Sequence, residues 1–187
     1  MAGRLLQKIT SDSSETFPSR RIQLVLIFSA GILAVCLHET LRWPLHLPGR
    51  HGLELMALLM FVRLSAPQRD AATLAALGGV SATLLFNDAA GVGSLILLAQ
   101  GWFIDKGYHL LKHHSLTLWL MIVITALAHS LKPLIKLGFQ SGLGIASDSL
   151  AQGLTYPLIT HFSFGLVGGL AGILAWRSLL KVKSEQT

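Results

Sequence analysis

The chain has 187 residues, of which 52% are apolar and only 13% charged, with a mean hydropathy of +0.60. A soluble domain needs roughly twice that charged fraction to cover its surface, so the composition points to an integral membrane protein with several spans. The net charge of +6 does not indicate a nucleic-acid partner. The basic residues sit between apolar runs instead of along one amphipathic face, which is the pattern of membrane topology.

Residues 1–21, with "TSDSSETFPSRR", form a polar tail expected to be loosely ordered. No small-residue cleavage site follows the first apolar run, so that run reads as a retained anchor. The single cysteine, Cys36, lies inside it and has no partner for an internal disulfide. Six apolar runs then predict six helices, at about 22–41, 52–64, 71–86, 92–104, 116–136 and 156–180. A span takes about 20 residues. The second and fourth runs are shorter, and span only if tilted, broken or lengthened by polar flanks. The competing count is four spans with two re-entrant or interfacial pieces, since irregular backbone survives at membrane depth only beside protein or water. The organisation expected is an all-α integral membrane bundle of six transmembrane helices over residues 22–181, between cytoplasmic tails at 1–21 and 182–187.

Charge distribution orients this bundle. With the amino terminus inside, eleven of the fifteen basic residues are cytoplasmic, and only Arg42, Arg50, Lys132 and Lys136 lie outside. Both termini are then cytoplasmic, which requires an even number of spans. Three outer connections result: "RWPLHLPGRH" (42–51), "NDAAGVG" (87–93) and the Gly/Ser-rich stretch 138–155. The last reads as either a mobile lid or a slack linker.

Helices in lipid need close backbone contact, which small residues supply. The third run carries Ala72, Ala76 and Gly79, and the sixth carries Gly165, Gly168, Gly169 and Gly172, as expected for internal packing. The first run carries Ala30 and Ala34 at the same four-residue spacing. Because it lies next to the tail, that stripe is a candidate surface for docking another protein.

Polar residues within the runs are the candidate site. In "LPGRHGLELMALLMFVRL", Glu54 falls near the outer end and Arg63 near the cytoplasmic end, where it is expected to snorkel to headgroups. Arg50 and His51 precede Glu54 by four and three residues. They either pin the loop structurally or join Glu54 in a ligand-contacting or gating cluster. In "AHSLKPLIK", His129, Lys132 and Lys136 fall at i, i+3 and i+7, one helical stripe. A basic stripe facing the bundle suits a carboxylate or phosphate. The alternative is that the lysines snorkel outward and Pro133 only kinks the helix. His161, in the sixth run, is either a ligand contact or a polar group satisfied within the bundle. At the cytoplasmic boundary, His109 and His113 have an i, i+4 spacing that can bind metal but more simply form a solvated basic end. Asp105 and Lys106 precede them and are expected to meet headgroups or a partner. His38 and Glu39 end the first run, beside Trp43 as an interface anchor.

Six short apolar helices, cytoplasmic termini, an Ala-xxx-Ala stripe on the first helix and a Pro/Gly outer loop after it resemble the S components of energy-coupling factor (ECF) vitamin transporters. The segment "LPGRHGLELMALLMFVRLSAPQRDAATLAALGGVSATLLF" resembles their second and third helices, and the likeness extends over about residues 22–180. The resemblance implies a membrane-embedded substrate-binding protein of a bacterial plasma (inner) membrane. Such a protein captures a micronutrient from outside and is energised by a separate coupling protein and two ATPases. It implies that Ala30 and Ala34 form the coupling contact. No motif carries the family's ligand-binding residues onto this chain, and no Walker motif occurs, so energy would come from the partners. Metal-transporting relatives use an amino-terminal Met-His ligand set that "MAGRLLQ" lacks. On this reading the chain is not an enzyme and carries no cofactor or metal. It binds a small molecule, an anionic one if the basic stripe faces the site, and its other contacts are membrane lipid and the coupling subunits.

Two other classes bear weighing. Eight histidines in an apolar chain suggest a haem- or quinone-linked electron carrier, with His129 and His161 at similar depths. A membrane hydrolase is disfavoured, because neither Gly-x-Ser-x-Gly nor paired intramembrane aspartates occur. Ser130 and His129, as neighbours on a helix, point about 100° apart.

Overall fold

The structure is a computed structural model, and it describes residues 19–40, 49, 52–86, 91–143 and 153–185. These residues form six helices: α1 (Arg20–Thr40), α2 (Gly52–Ser65), α3 (Ala71–Phe86), α4 (Val92–Leu111), α5 (Thr117–Leu143) and α6 (Thr155–Glu185). The tail over 1–18, most of the 42–51 connection with Trp43, Arg50 and His51, and residues 87–90, 144–152 and 186–187 lie outside the described residues.

Each apolar run forms a helix, as its composition predicts, but three run further than apolarity alone suggests. Helix α4 continues through Asp105, Lys106 and His109, α5 passes Lys136 to Leu143, and α6 reaches Glu185. Backbone bonding carries a helix on until something breaks it, whatever the polarity of the side chains. Pro133 does not break α5, although it lacks the N–H that would bond the carbonyl of residue 129. Part of the expected 138–155 linker is therefore helical.

Helix α2 is the hub. It is apolar nearly all round and packs against each of the other five helices. Met56, Leu59 and Met60 are fully buried. Helices α1, α3, α4, α5 and α6 follow one another around it, each packed on the next.

Small residues set the spacing. A Cβ added at Gly31 of α1 would fall 1.7 Å from the Ala75 carbonyl oxygen of α3, and one at Gly78 would fall 2.0 Å from the Phe28 oxygen. Gly168 and Gly172 bring α6 equally close to α2, with added Cβ atoms 2.8 Å from the Leu53 oxygen and 2.5 Å from the Ala57 oxygen. Helices thus approach to backbone contact where any side chain would part them.

The Ala30–Ala34 stripe is corrected here. Ala34 is 1% exposed, and Ala30 packs partly buried against the core. Ala34 is therefore closed to a partner, while Ala30 keeps part of its surface. What α1 exposes is large and apolar: Val25, Leu26 and Leu33.

Among the described residues, three helices are long and apolar enough to cross a membrane: α1 over Arg20–Leu37, α5 over Thr117–Gly142 and α6 over Thr155–Val182. Large apolar side chains such as Leu85, Trp119 and Ile159 face outward from the bundle. Such a surface needs lipid around it, and the chain is a membrane protein.

Candidate functional site

The bundle has two polar ends. Gly168 and Gly172 lie beside Met56 and Met60 respectively, so α6 runs in the same direction as α2. The carboxyl ends of α2 and α6 therefore share one end of the bundle. His129 and Gly49 lie at the other.

At the Arg63 end, sequence reasoning expected headgroup contacts and the structure shows a closed network. Arg63 is 3% exposed and Asp105 is 1% exposed. Arg63 Nη1 donates to Asp105 Oδ1 at 2.9 Å and to the Arg69 carbonyl at 2.6 Å, while Nη2 donates to the Ala66 carbonyl at 2.9 Å. Its guanidinium lies 4.7 Å from the Tyr108 ring centre. Asp105 also accepts from the Ala72 N–H at 3.1 Å and from both the N–H and the hydroxyl of Thr73 at 2.7 Å. Its carboxylate thus caps the first turn of α3, where backbone donors are unsatisfied and negative charge is favoured. Neither residue snorkels, because each satisfies the other inside the protein. His109, the first member of the His109/His113 spacing, donates to the Arg69 carbonyl at 2.8 Å. No group of three or more metal-ligating side chains occurs among the described residues.

The opposite end holds the candidate site, built on Gly49. This glycine has φ +81°, a conformation that favours glycine, and its carbonyl ends the turn leading into α2. That carbonyl accepts the Gly52 N–H at 2.9 Å and His129 Nε2–H at 3.1 Å, so both lone pairs are used. A carbonyl only accepts, so His129 carries its proton on Nε2. It then presents the Nδ1 lone pair to the Gln100 amide, at a long 3.4 Å. His129 and Gln100 are each 2% exposed. The His129 ring sits where a Gly52 side chain would be, 1.9 Å from an added Cβ.

His161 of α6 packs on His129 with ring centroids 4.8 Å apart and planes tilted by 35°. It is 4% exposed, and its ring lies 2.9 Å from where a Gly49 Cβ would be. Its Nδ1 donates to the Pro157 carbonyl at 2.7 Å, one turn back on α6. In the neutral ring Nε2 is then a bare acceptor, and no donor for it is present among the described residues. The expected pairing of His129 with His161 at one depth is therefore observed. The arrangement does not suit a haem: axial imidazoles direct their nitrogens at one another across an iron through bonds of about 2 Å. Here the rings lie face against face, and both nitrogens of His129 are engaged.

The other candidates divide. Lys132 follows His129 by one turn of α5, partly buried and with no ion-pair partner among the described residues. Glu54 does not join this cluster. Two residues on from Gly52, it points about 200° around α2 from the face that touches His129. One carboxylate oxygen of Glu54 is buried without a hydrogen-bond partner. Its place in the first turn of α2 favours a negative charge. The expected link from Glu54 to Arg50 and His51 involves two residues outside the described ones.

Sequence reasoning missed Gln100, Gly49 and Gly52 as site residues. Gln100 was signalled by being an amide alone in the apolar stretch "LLAQGWF", and the glycines by flanking "RH" so closely. Comparison with protein-family models, with curated proteins and with solved structures finds no match to this chain.

Proposed function

We propose that this chain is the membrane-embedded substrate-binding component of an uptake system for a small micronutrient, such as a vitamin or cofactor precursor. In this proposal all six helices span a bacterial plasma membrane, both termini are cytoplasmic, and the Gly49 end faces outward. A separate coupling protein and its ATPases, of the energy-coupling factor kind, supply the energy. The observation that carries the reading is the His129–Gly49–Gln100–His161 cluster. It places buried polar groups at one end of the bundle, under a glycine turn, and leaves an imidazole acceptor without a donor among the described residues. Buried polar groups in membrane helices are costly, so those left unsatisfied point to a ligand.

The other end supports the same division of labour. There the Arg63 and Asp105 charges are paired with one another and bonded to backbone, and Arg63 Nε and Gln68 Oε1 are the buried atoms left without a partner among the described residues. The test is binding by purified full-length protein, measured calorimetrically against a panel of vitamins and precursors. Binding of one member at micromolar or better affinity is expected. Correctly folded protein that binds none of them would refute the proposal. Cysteine labelling that places the two chain ends on opposite sides of the membrane would refute the topology.

A further inference from the structure

The same cluster carries information about the chemistry of its ligand, on the condition that the chain is the binding protein proposed above. Two of its groups lack a counterpart. The first is His161 Nε2, a lone-pair acceptor on a side chain 4% exposed whose other nitrogen is committed to the Pro157 carbonyl. The second is the Lys132 ammonium, partly buried and without a carboxylate within ion-pair distance among the described residues. The two described ion pairs, Arg63–Asp105 and Lys181–Glu185, both lie at the opposite end of the bundle. Glu54, the carboxylate in the first turn of α2, faces away around that helix.

An uncompensated cation inside a membrane bundle is costly, and an acceptor without a donor is open to a hydrogen bond from a ligand. A single ligand answers both. Lys132 and His129 share one stripe of α5, and His161 stacks on His129 at 4.8 Å between centroids. Lys136, one turn beyond Lys132 on the same stripe, also lacks an ion-pair partner among the described residues, so the stripe suits an anionic group, a carboxylate first among them. We infer that the site takes a small carboxylic acid bearing an N–H or O–H donor, with Lys132 on the carboxylate and His161 Nε2 accepting from the donor. His129, bonded to the Gly49 carbonyl and to Gln100, holds the His161 ring stacked against it.

The experiment is isothermal titration of full-length protein in detergent micelles. The ligands are two acids, biotin and pantothenate, each beside its neutral counterpart, biotin amide and pantothenyl alcohol, with thiamine and riboflavin as cationic and neutral controls. At least one acid is expected to bind tenfold or more tighter than its counterpart. Lys132→Met should abolish that preference, while Lys132→Arg keeps it. His161→Phe should weaken the acid at least fivefold without removing the preference, and His161→Gln, which retains an acceptor, should weaken it less. The inference is overturned if the neutral counterpart binds as tightly as the acid, if Lys132→Met keeps the preference, or if only thiamine or riboflavin binds. In each of those cases the binding function stands. Folded protein that binds none of the six compounds overturns the inference and the binding function together.

Discussion

Replacing Asp105 with alanine removes the one carboxylate that holds three parts of the molecule. It accepts from Arg63 on α2 and from the Ala72 and Thr73 N–H groups that open α3, and it belongs to α4 itself. Both members of the ion pair are almost wholly buried, at 3% and 1% exposure. Stripping one partner from such a pair leaves an unneutralised charge and typically costs about 3–5 kcal/mol. Loss of the cap on α3 adds about 0.5–2 kcal/mol. The expected destabilisation is therefore several kcal/mol, a large part of the total stability of an ordinary domain. Reversible unfolding in mixed micelles, followed by tryptophan fluorescence and by far-ultraviolet circular dichroism, measures it. The double variant Arg63→Met/Asp105→Leu should recover most of the loss, because it removes both charges together. Lys181→Ala serves as the control. Its ion pair spans 3.9 Å with both side chains well exposed, so its removal should change stability by less than about 0.5 kcal/mol. An Asp105→Ala variant as stable as that control would refute the view that the network is a closed structural clamp.

Gly52→Ala places a methyl group 1.9 Å from the His129 ring, so it should cost about 1–3 kcal/mol and shift the His129 imidazole resonances in nuclear magnetic resonance spectra. Gly31→Ala drives a methyl into backbone at the α1–α3 seam, where nothing flexible can yield, and should lower thermal stability at least as much. Gln100→Ala breaks a long 3.4 Å bond and should cost only about 0.5–1.5 kcal/mol in the same unfolding assay. After incubation with haemin and gel filtration, the protein should retain no haem absorption band, since the stacked His129 and His161 rings leave no coordinating pair.

The helices were legible because an apolar run at membrane composition permits little else. Their ends were not, where Asp105 and His109 continue α4 without an apolar signal. Arg63 shows why pairing is harder to read than placement. It sits at the end of an apolar run, a position that on lipid-facing helices belongs to a snorkelling side chain. Only its partner distinguishes the cases, and Asp105 lies 42 residues away on another helix. Periodicity along one helix says nothing about which helix stands opposite. The same holds for Ala30 and Ala34, whose spacing reveals a face fit for close packing but not whether α3 or another protein fills it. His129, Lys132 and His161 stood out because polar residues in apolar runs need a reason. That the two histidines stack, and that Gly49 and Gly52 make room for them, depends on how α2, α5 and α6 converge.

The double bond-acceptance at Gly49 makes α2 something like an axle. Its 14 residues extend for roughly 20 Å, from the glycine turn to Arg63. One bearing is an imidazole proton held on a carbonyl that also secures the axle's first turn. The other is a guanidinium locked to the start of α3 through Asp105. A molecule that drew His129 away from Gly49 would loosen the first bearing and leave the second tight. Any resulting tilt would pivot about the Arg63 end and be felt by all five surrounding helices.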